Sequence, residues 1–239
     1  MEAMAAESLL ASAWIMDGYL TKTRWPLAVD NGYTDVDVIG VRGGCVRMGE
    51  CKVRSGARRV YVVRGDDAAR FTQDWLGAWA GTLENVARLW RAAPPWLPAP
   101  GGCEALEFWF CANLWFPDEG LRESAERDLT ASLRALCPHG LKGKATARVV
   151  STLDVLLHVV ASIRKRVVDE EHGKRFGDPV LDALRELVRY AHPLPADGGR
   201  IGGEIRACTI ARLHDALGIA SADGDAETVS ARGLAEALP

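Results

Sequence analysis

Residues 35–53 read DVDVIGVRGGCVRMGECKV, and the pattern of this stretch predicts a β-hairpin. Two apolar runs, 36–41 and 46–53, have the composition of short strands. The Gly43-Gly44 pair between them is typical of a tight turn. With a two-residue turn at this pair, position 42 faces position 45, and opposed positions across the hairpin sum to 87.

This register predicts four charged side chains on one face of the hairpin. Asp37 lies opposite Glu50, and Asp35 lies opposite Lys52. Directly opposed residues of antiparallel strands share a face, and so do residues two apart on one strand. A four-residue loop preserves the register, whereas a three-residue loop breaks it.

The residue types on this face predict a metal-dependent site. Carboxylates held side by side repel each other unless a cation lies between them. A small open site with hard oxygen ligands suits Mg²⁺ or Mn²⁺, with water and substrate phosphate as further ligands. Asp37 and Glu50 are therefore the candidate metal ligands. Lys52 is the candidate catalytic cation, which orients the attacking water, helps to deprotonate it, or adds positive charge at the transition state.

An acidic residue on one strand followed by Glu-x-Lys on the next resembles the PD-(D/E)xK nuclease superfamily. The closest resemblance is to Mrr-like restriction endonucleases and archaeal Holliday-junction resolvases. The matching segments are 37–40 (DVIG) and 50–52 (ECK), within the region 5–65. The resemblance implies an α/β fold of restriction endonuclease type, with a mixed sheet flanked by helices and a helical C-terminal extension. It also implies Mg²⁺-dependent hydrolysis of DNA phosphodiester bonds, with Mn²⁺ as a substitute.

The proline of the family pattern is missing, because Thr34 and Val36 flank the acidic positions. Either Asp35 or Asp37 is then the main ligand. We expect Asp37 in that role, with Asp35 either paired to Lys52 or contributing to a second metal.

A helix is expected over residues 3–20, with Gly18 as its terminator. The resemblance implies an acidic residue on this helix that reaches the metal, and Glu7 is the candidate. An exposed helix glutamate is the alternative. Lys22 and Arg24 then alternate with threonines in a strand, which makes them candidate contacts to a nucleic-acid backbone. An edge strand with outward charges explains them equally well.

Bulk properties constrain the class of protein. The 239 residues are 48% hydrophobic and 26% charged, which is typical of a globular protein. The net charge of −3 is not typical of a nucleic-acid-binding protein, although a nuclease needs to be basic only where it touches phosphate. The six cysteines form no Cys-x-x-Cys pair, so we expect small buried thiols in a reducing compartment rather than a zinc site. The chain has no apolar run of membrane-spanning length, and we expect a cytoplasmic protein.

The rest of the chain predicts one further strand region and then helices. A strand over 58–63 is expected near the centre of the sheet, followed by a helix over 67–91, a Pro/Gly-rich loop and strand residues within 104–116. We expect a nuclease-like core over 1–117 and a helical extension over 118–239, packed on the core or continuous with it. The extension's helices are expected over 119–137, 151–170, 178–191 and 204–217.

A glycine-rich basic loop is expected around residues 139–148. Lys142, Lys144 and Arg148 are candidate nucleic-acid contacts, although a solvated surface explains them as well. The loop does not match a phosphate-binding P-loop, since Pro138 and Ala145 occupy the wrong positions.

These observations predict a Mg²⁺-dependent deoxyribonuclease, and an endonuclease rather than an exonuclease. A homodimer is expected by analogy, because cleavage of both DNA strands usually requires two sites. One competing interpretation is an inactive relative that binds nucleic acid or a protein partner. Another is a structural hairpin that carries no site.

Overall fold

The computed structural model describes residues 2–29, 32–52, 60–64, 77–170, 175–192 and 200–217. The start of the helix expected over 67–91 and part of the strand expected over 58–63 lie outside these ranges. The chain forms two compact units, Met1–Leu156 and Leu157–Pro239.

The first unit is built around a five-stranded mixed sheet. The strands of this unit are β1 (Leu20–Val29), β2 (Gly32–Arg42), β3 (Cys45–Lys52), β4 (Tyr61–Val62), β5 (Ala105–Ala112), β6 (Leu114–Trp115) and β7 (Ala145–Ser151), and all except β4 and β6 belong to the main sheet. Its helices are α1 (Glu2–Met16), α2 (Gly77–Ala92), α3 (Glu119–Leu136) and the 3₁₀ helix His139–Lys144. The strand order is β1-β2-β3-β5-β7, antiparallel from β1 to β3 and parallel from β3 to β7. The expected α/β class, with a mixed sheet flanked by helices, is confirmed.

The hairpin between β2 and β3 has the expected register. Arg42 pairs with Cys45, and the ladder continues to Val38 paired with Gly49. Gly43 occupies the turn with a φ of 57°, a left-handed conformation that glycine adopts at little cost. The local pattern of the sequence therefore sets this pairing correctly.

Two glycines allow α1 to lie close against the sheet. A Cβ built on Gly49 would stand 2.7 Å from Leu10 Cδ2, and one built on Gly40 would stand 2.9 Å from Trp14 Cε3. A side chain at position 49 or 40 would therefore require Leu10 or Trp14 of the helix to shift. The turn after α1 contains Gly18 with a φ of 84°, so the helix ends before residue 20 as a glycine terminator predicts.

The opposite face of the sheet carries the main hydrophobic core. Side chains alternate across a strand, so Met48, Phe108 and Phe110 point away from the α1 face. They belong to one buried cluster with Leu83 and Leu89 of α2. Burying each such side chain contributes about 1.5–3 kcal/mol, and this burial fixes the strands on which the site residues lie.

Strand β7 corrects the expectation of a loop around residues 139–148, because the end of that segment is a strand. Its side chains alternate between buried and exposed, with Ala145, Ala147 and Val149 inward. The small residues and the flanking lysines give this run the composition of a basic loop, and it becomes a strand because it pairs with β5. Both α3 and β7 lie in the compact unit that ends at Leu156.

Side chains of α3 satisfy backbone groups of β7, the last strand in the sheet order. A guanidinium, a hydroxyl and a carboxylate make these contacts, so the helix covers a strand edge that would otherwise offer unpaired groups. The pairs, each at 2.9 Å, are Arg134 Nε to Ala145 O, Ala147 N to Thr130 Oγ1, and Val149 N to Glu126 Oε1.

The short strand β4 pairs with β6 in a separate two-stranded sheet. The expectation that the run over 58–63 lies near the centre of the main sheet is therefore wrong. The central position belongs to β3, because β5 pairs with it in parallel along its whole length.

The second unit is helical in the part that the structure describes. Helix α4 (Thr152–Arg164) crosses the boundary between the units and continues into a π-helical turn, Lys165–Asp169. Helix α5 (Pro179–Ala191) begins after Asp178, which accepts hydrogen bonds from the N–H groups of Val180 and Leu181. This is the cap expected of Asp before Pro. Helix α6 spans Arg200–Leu217, so the C-terminal part is helical as expected.

Within the described ranges, the structure contains no helix whose length and apolar character would allow it to cross a membrane.

Candidate active site

Asp37 lies where the β2–β3 ladder ends. Its Oδ2 atom accepts a hydrogen bond of 2.6 Å from the backbone N–H of Cys51. The carboxylate thus accepts the hydrogen bond of a β3 backbone N–H that lies just beyond the last ladder pair, Val38–Gly49. This contact holds the partly buried Asp37 side chain against the segment that carries Glu50.

Glu50 and Lys52 form a close ion pair at the carboxyl end of β3. Lys52 Nζ lies 2.5 Å from Glu50 Oε1. The Glu50 side chain is only 6% exposed, whereas that of Lys52 is 46% exposed. The carboxylate is therefore held inside the protein, and the ammonium connects it to solvent.

Glu50 has a strongly perturbed acidity. Burial, together with the nearby negative charges of Asp37 and Asp35, raises the pKa of Glu50 from an ordinary 4.5 to about 7, against the opposing effect of Lys52. Burial also raises the pKa of Asp37, with Glu7 and Asp35 acting in the same direction, while the Cys51 N–H and Lys52 oppose the rise. The carboxylates therefore lie close enough to repel one another.

Lys52 is held in its charged form. Burial disfavours the ammonium, but the ion pair with Glu50 and the charges of Asp37 and Asp35 outweigh burial, so the net effect raises the pKa of Lys52. The site therefore contains a cation that keeps its proton at neutral pH.

Glu7 reaches the same region from α1. It is 5% exposed as a residue, and its two oxygens accept hydrogen bonds from Arg24 Nε at 3.0 Å and Arg24 Nη2 at 3.2 Å. The interpretation of Glu7 as an exposed helix glutamate is therefore wrong. Both carboxylate oxygens are engaged by the guanidinium, so Arg24 is the cation that balances Glu7.

The carboxylates fit a metal only as a pair of ligands. In the described part of the chain, no three His, Cys, Asp or Glu side chains are grouped so as to hold a metal ion. Asp37 and Glu50 would be the protein ligands, since Glu7 is bound to Arg24. Mg²⁺ usually keeps several waters and takes only one or two carboxylates, so a two-carboxylate site is compatible with it.

The other candidate contacts lie at separate places. Lys22 is exposed on β1, and Lys142 and Arg148 are exposed on the 3₁₀ helix and on β7. Lys144 donates a 2.6 Å hydrogen bond to the carbonyl of Cys103, so it fastens the Pro/Gly-rich loop to the 3₁₀ helix.

Two site features carry no signal that sequence analysis detects. Asn85 of α2 is buried and donates a 3.2 Å hydrogen bond to the carbonyl oxygen of Asp35, which anchors the start of the acidic segment. Arg24 has a φ of 52°, a left-handed conformation that is rare for a residue with a side chain. Both depend on contacts between residues far apart in the chain, which local patterns do not encode.

Comparison with known proteins adds no functional information. The chain matches no protein-family model and no curated protein. It is similar to a solved structure titled "Crystal Structure of Protein of Unknown Function AF1548", with 14% identity over 91% of this chain and 100% of that chain. The TM-score of that match is 0.33, which is too low to support an inference about fold or function.

Proposed function

We propose that this protein is a metal-dependent nuclease that hydrolyses phosphodiester bonds in DNA, acting as an endonuclease rather than an exonuclease. The observation that carries the proposal is the cluster of Asp37, Glu50 and Lys52 at the carboxyl end of the central strand. This cluster has the residue types and order of the PD-(D/E)xK pattern. The proposal extends to a restriction endonuclease-like fold for the first unit.

Asp37 and Glu50 would hold Mg²⁺, with Mn²⁺ as a substitute. A bound divalent ion supplies a Lewis acid for the phosphoryl oxygens and lowers the pKa of a coordinated water. Support comes from the raised pKa of Glu50, which burial raises most and the negative charge of Asp37 raises next, because a cation between the two carboxylates relieves the repulsion between them.

Lys52 would act as a charged hydrogen-bond donor. Its raised pKa keeps the ammonium protonated at neutral pH, which makes it a poor general base. Its half-exposed Nζ lies beside Glu50, where it would orient the attacking water or stabilise negative charge that develops on the phosphate.

A second candidate function is a nucleic-acid- or protein-binding module without catalysis. The observation that favours it is the 2.5 Å ion pair between Lys52 and Glu50, because the lysine already neutralises the buried carboxylate without a metal.

The proposed setting is a cytoplasmic homodimer that acts on DNA. All six cysteines are free thiols, which supports a reducing compartment. The dimer follows from the need for two sites to cut both strands. Gel filtration with light scattering measures the oligomeric state directly. A monomer that cuts both DNA strands would refute the proposed dimer.

A cleavage assay tests the proposed function. Supercoiled, linear, single-stranded and branched DNA are each incubated with Mg²⁺, with Mn²⁺ and with EDTA. We expect cleavage that requires the divalent ion and disappears in Asp37→Asn, while the control variant Arg91→Lys, at an exposed position in the last turn of α2, cleaves as the parent does. DNA binding without cleavage under every condition would instead support the binding module.

A further inference from the structure

Arg24 has a strained backbone at a position next to the candidate active site. The residues on either side of it pair with Val38 and Val36, so Arg24 lies opposite Asp37 in the register of β1 and β2. Its φ of 52° costs about 1–2 kcal/mol for a residue with a Cβ. Such strain is typical of functional sites, where a side chain must be presented in a direction that a regular strand does not allow.

Among the residues that the structure describes, Glu7 holds the guanidinium of Arg24 from one side. Glu7, whose side chain is 6% exposed, accepts from Nε and Nη2, while the Arg24 side chain is 52% exposed. These bonds use two of the five N–H donors of an arginine. The arrangement therefore fixes the direction of the guanidinium, and its remaining N–H donors can bind a ligand that approaches from the solvent.

We expect that the fold itself does not require this pair. A left-handed φ is better served by Gly or Asn, and an ion pair that is even partly buried, as this one is, can often be replaced by uncharged residues without loss of stability. The protein thus keeps a strained arginine and a buried carboxylate where neutral residues would fold as well. Features that cost stability without structural need are expected at functional sites.

Charge explains what the arginine would recognise. Asp35, Asp37 and Glu50 make the neighbourhood negative, and an anionic substrate that approaches them needs cations beside them. Lys52 of β3 and Arg24 of β1 lie on either side of Asp37, which is on the strand between them. A guanidinium with free donors matches the paired non-bridging oxygens of a phosphate.

We propose that Arg24 is the phosphate-binding subsite of the candidate active site and that Glu7 is its positioning residue rather than a metal ligand. The inference rests on the proposed function for the identity of the substrate. The ligand is a phosphodiester group of the nucleic acid, bound through the guanidinium of Arg24 next to Asp37.

The test is an NMR titration with dithymidine monophosphate, which carries one phosphodiester, in EDTA and again in Mg²⁺. We expect Arg24→Lys to weaken binding about tenfold or more, because lysine cannot reproduce the fork of donors. Arg91→Lys should bind as the parent does. An affinity of Arg24→Lys within about twofold of the parent, or a parent that does not bind the dinucleotide, would overturn the subsite.

A double variant separates recognition from a purely structural role. Glu7→Gln with Arg24→Gly removes both charges and the backbone strain, so we expect a melting temperature no lower than that of the parent together with the same loss of binding. A lower melting temperature with unchanged dinucleotide affinity would show that the pair only supports the fold. If binding depends on Arg24 but no DNA is cut with any divalent ion, the subsite stands and the nuclease proposal fails. If DNA is cut and Arg24→Lys binds the dinucleotide as the parent does, the nuclease proposal stands and the subsite fails.

Discussion

The Oδ2 atom of Asp37 accepts a 2.6 Å hydrogen bond from the backbone N–H of Cys51. This bond joins β2 to β3 at the point where their ladder has ended, and it places the Asp37 charge where it raises the pKa of Glu50. One carboxylate therefore serves both the fold and the acidity of the site, and substitutions of Asp37 can separate the two roles.

Asp37→Asn should lower the pKa of Glu50 from about 7 toward its ordinary range while leaving the fold nearly unchanged. The amide oxygen still accepts from the Cys51 N–H, but the negative charge is gone. Carbon-detected NMR titration of the glutamate carboxyls measures the pKa. Asp37→Ala should in addition destabilise the protein by about 1–3 kcal/mol in urea denaturation, because the N–H loses its acceptor. Equal stability of the Asn and Ala variants would contradict the structural role of the bond.

Glu50→Gln should change how stability depends on pH. The folded-state pKa of Glu50 is raised, so its contribution favours folding fully below about pH 4.5 and is lost as the pH rises through about 7. The difference between these pKa values corresponds to roughly 3 kcal/mol at most. Relative to the parent, the glutamine variant should therefore gain stability between pH 5 and pH 8.5, as measured by denaturant unfolding at each pH. A constant difference across that range would show that Glu50 ionises normally.

Mg²⁺ should raise the melting temperature by binding only to the folded state, and the rise should grow from pH 6 to pH 8 as Glu50 loses its proton. Differential scanning calorimetry at several Mg²⁺ concentrations measures the shift. The double variant Asp37→Asn with Glu50→Gln should abolish it. A shift that survives in the double variant would place the ion elsewhere on the protein.

Lys52→Ala should slow DNA cleavage by about 10²–10⁴-fold, since a positioned charged donor typically contributes that much to the rate. DNA affinity should change little, because it depends on many phosphate contacts. Single-turnover cleavage and fluorescence anisotropy measure the two quantities. By comparison, Lys142→Ala should weaken DNA binding and flatten its salt dependence with little effect on the single-turnover rate. A Lys52→Ala variant that cuts at the parental rate would remove Lys52 from the catalytic site.

Glu126→Ala should destabilise the protein by about 1–3 kcal/mol, because the buried N–H of Val149 loses its acceptor. Thr130→Val should act similarly through the N–H of Ala147. Glu123→Ala is the matched control, since Glu123 is exposed on the same helix. Urea denaturation measures stability, and light scattering detects association through the uncovered edge. If all three variants unfold alike, α3 does not cover β7 through these side chains.

The hairpin and its register could be predicted from the amino-acid sequence alone. The turn at Gly43 and the alternation of side chains are local properties, so the pairing that continues to Val38 and Gly49 followed from positions alone. The helix limits at Gly18 and Asp178 also followed from residues that act within one turn. Local chemistry was sufficient wherever the deciding contacts join neighbours in the chain.

Only the tertiary structure decided what surrounds the hairpin. Glu7 meets Arg24 across 17 positions, and Lys144 meets the carbonyl of Cys103 across 41. Residues 145–151 become a strand because β5 offers them a partner, although their composition indicates a loop. The raised pKa of Glu50 likewise requires burial by the assembled sheet. These features depend on contacts between distant segments, and such contacts exist only after the chain has folded.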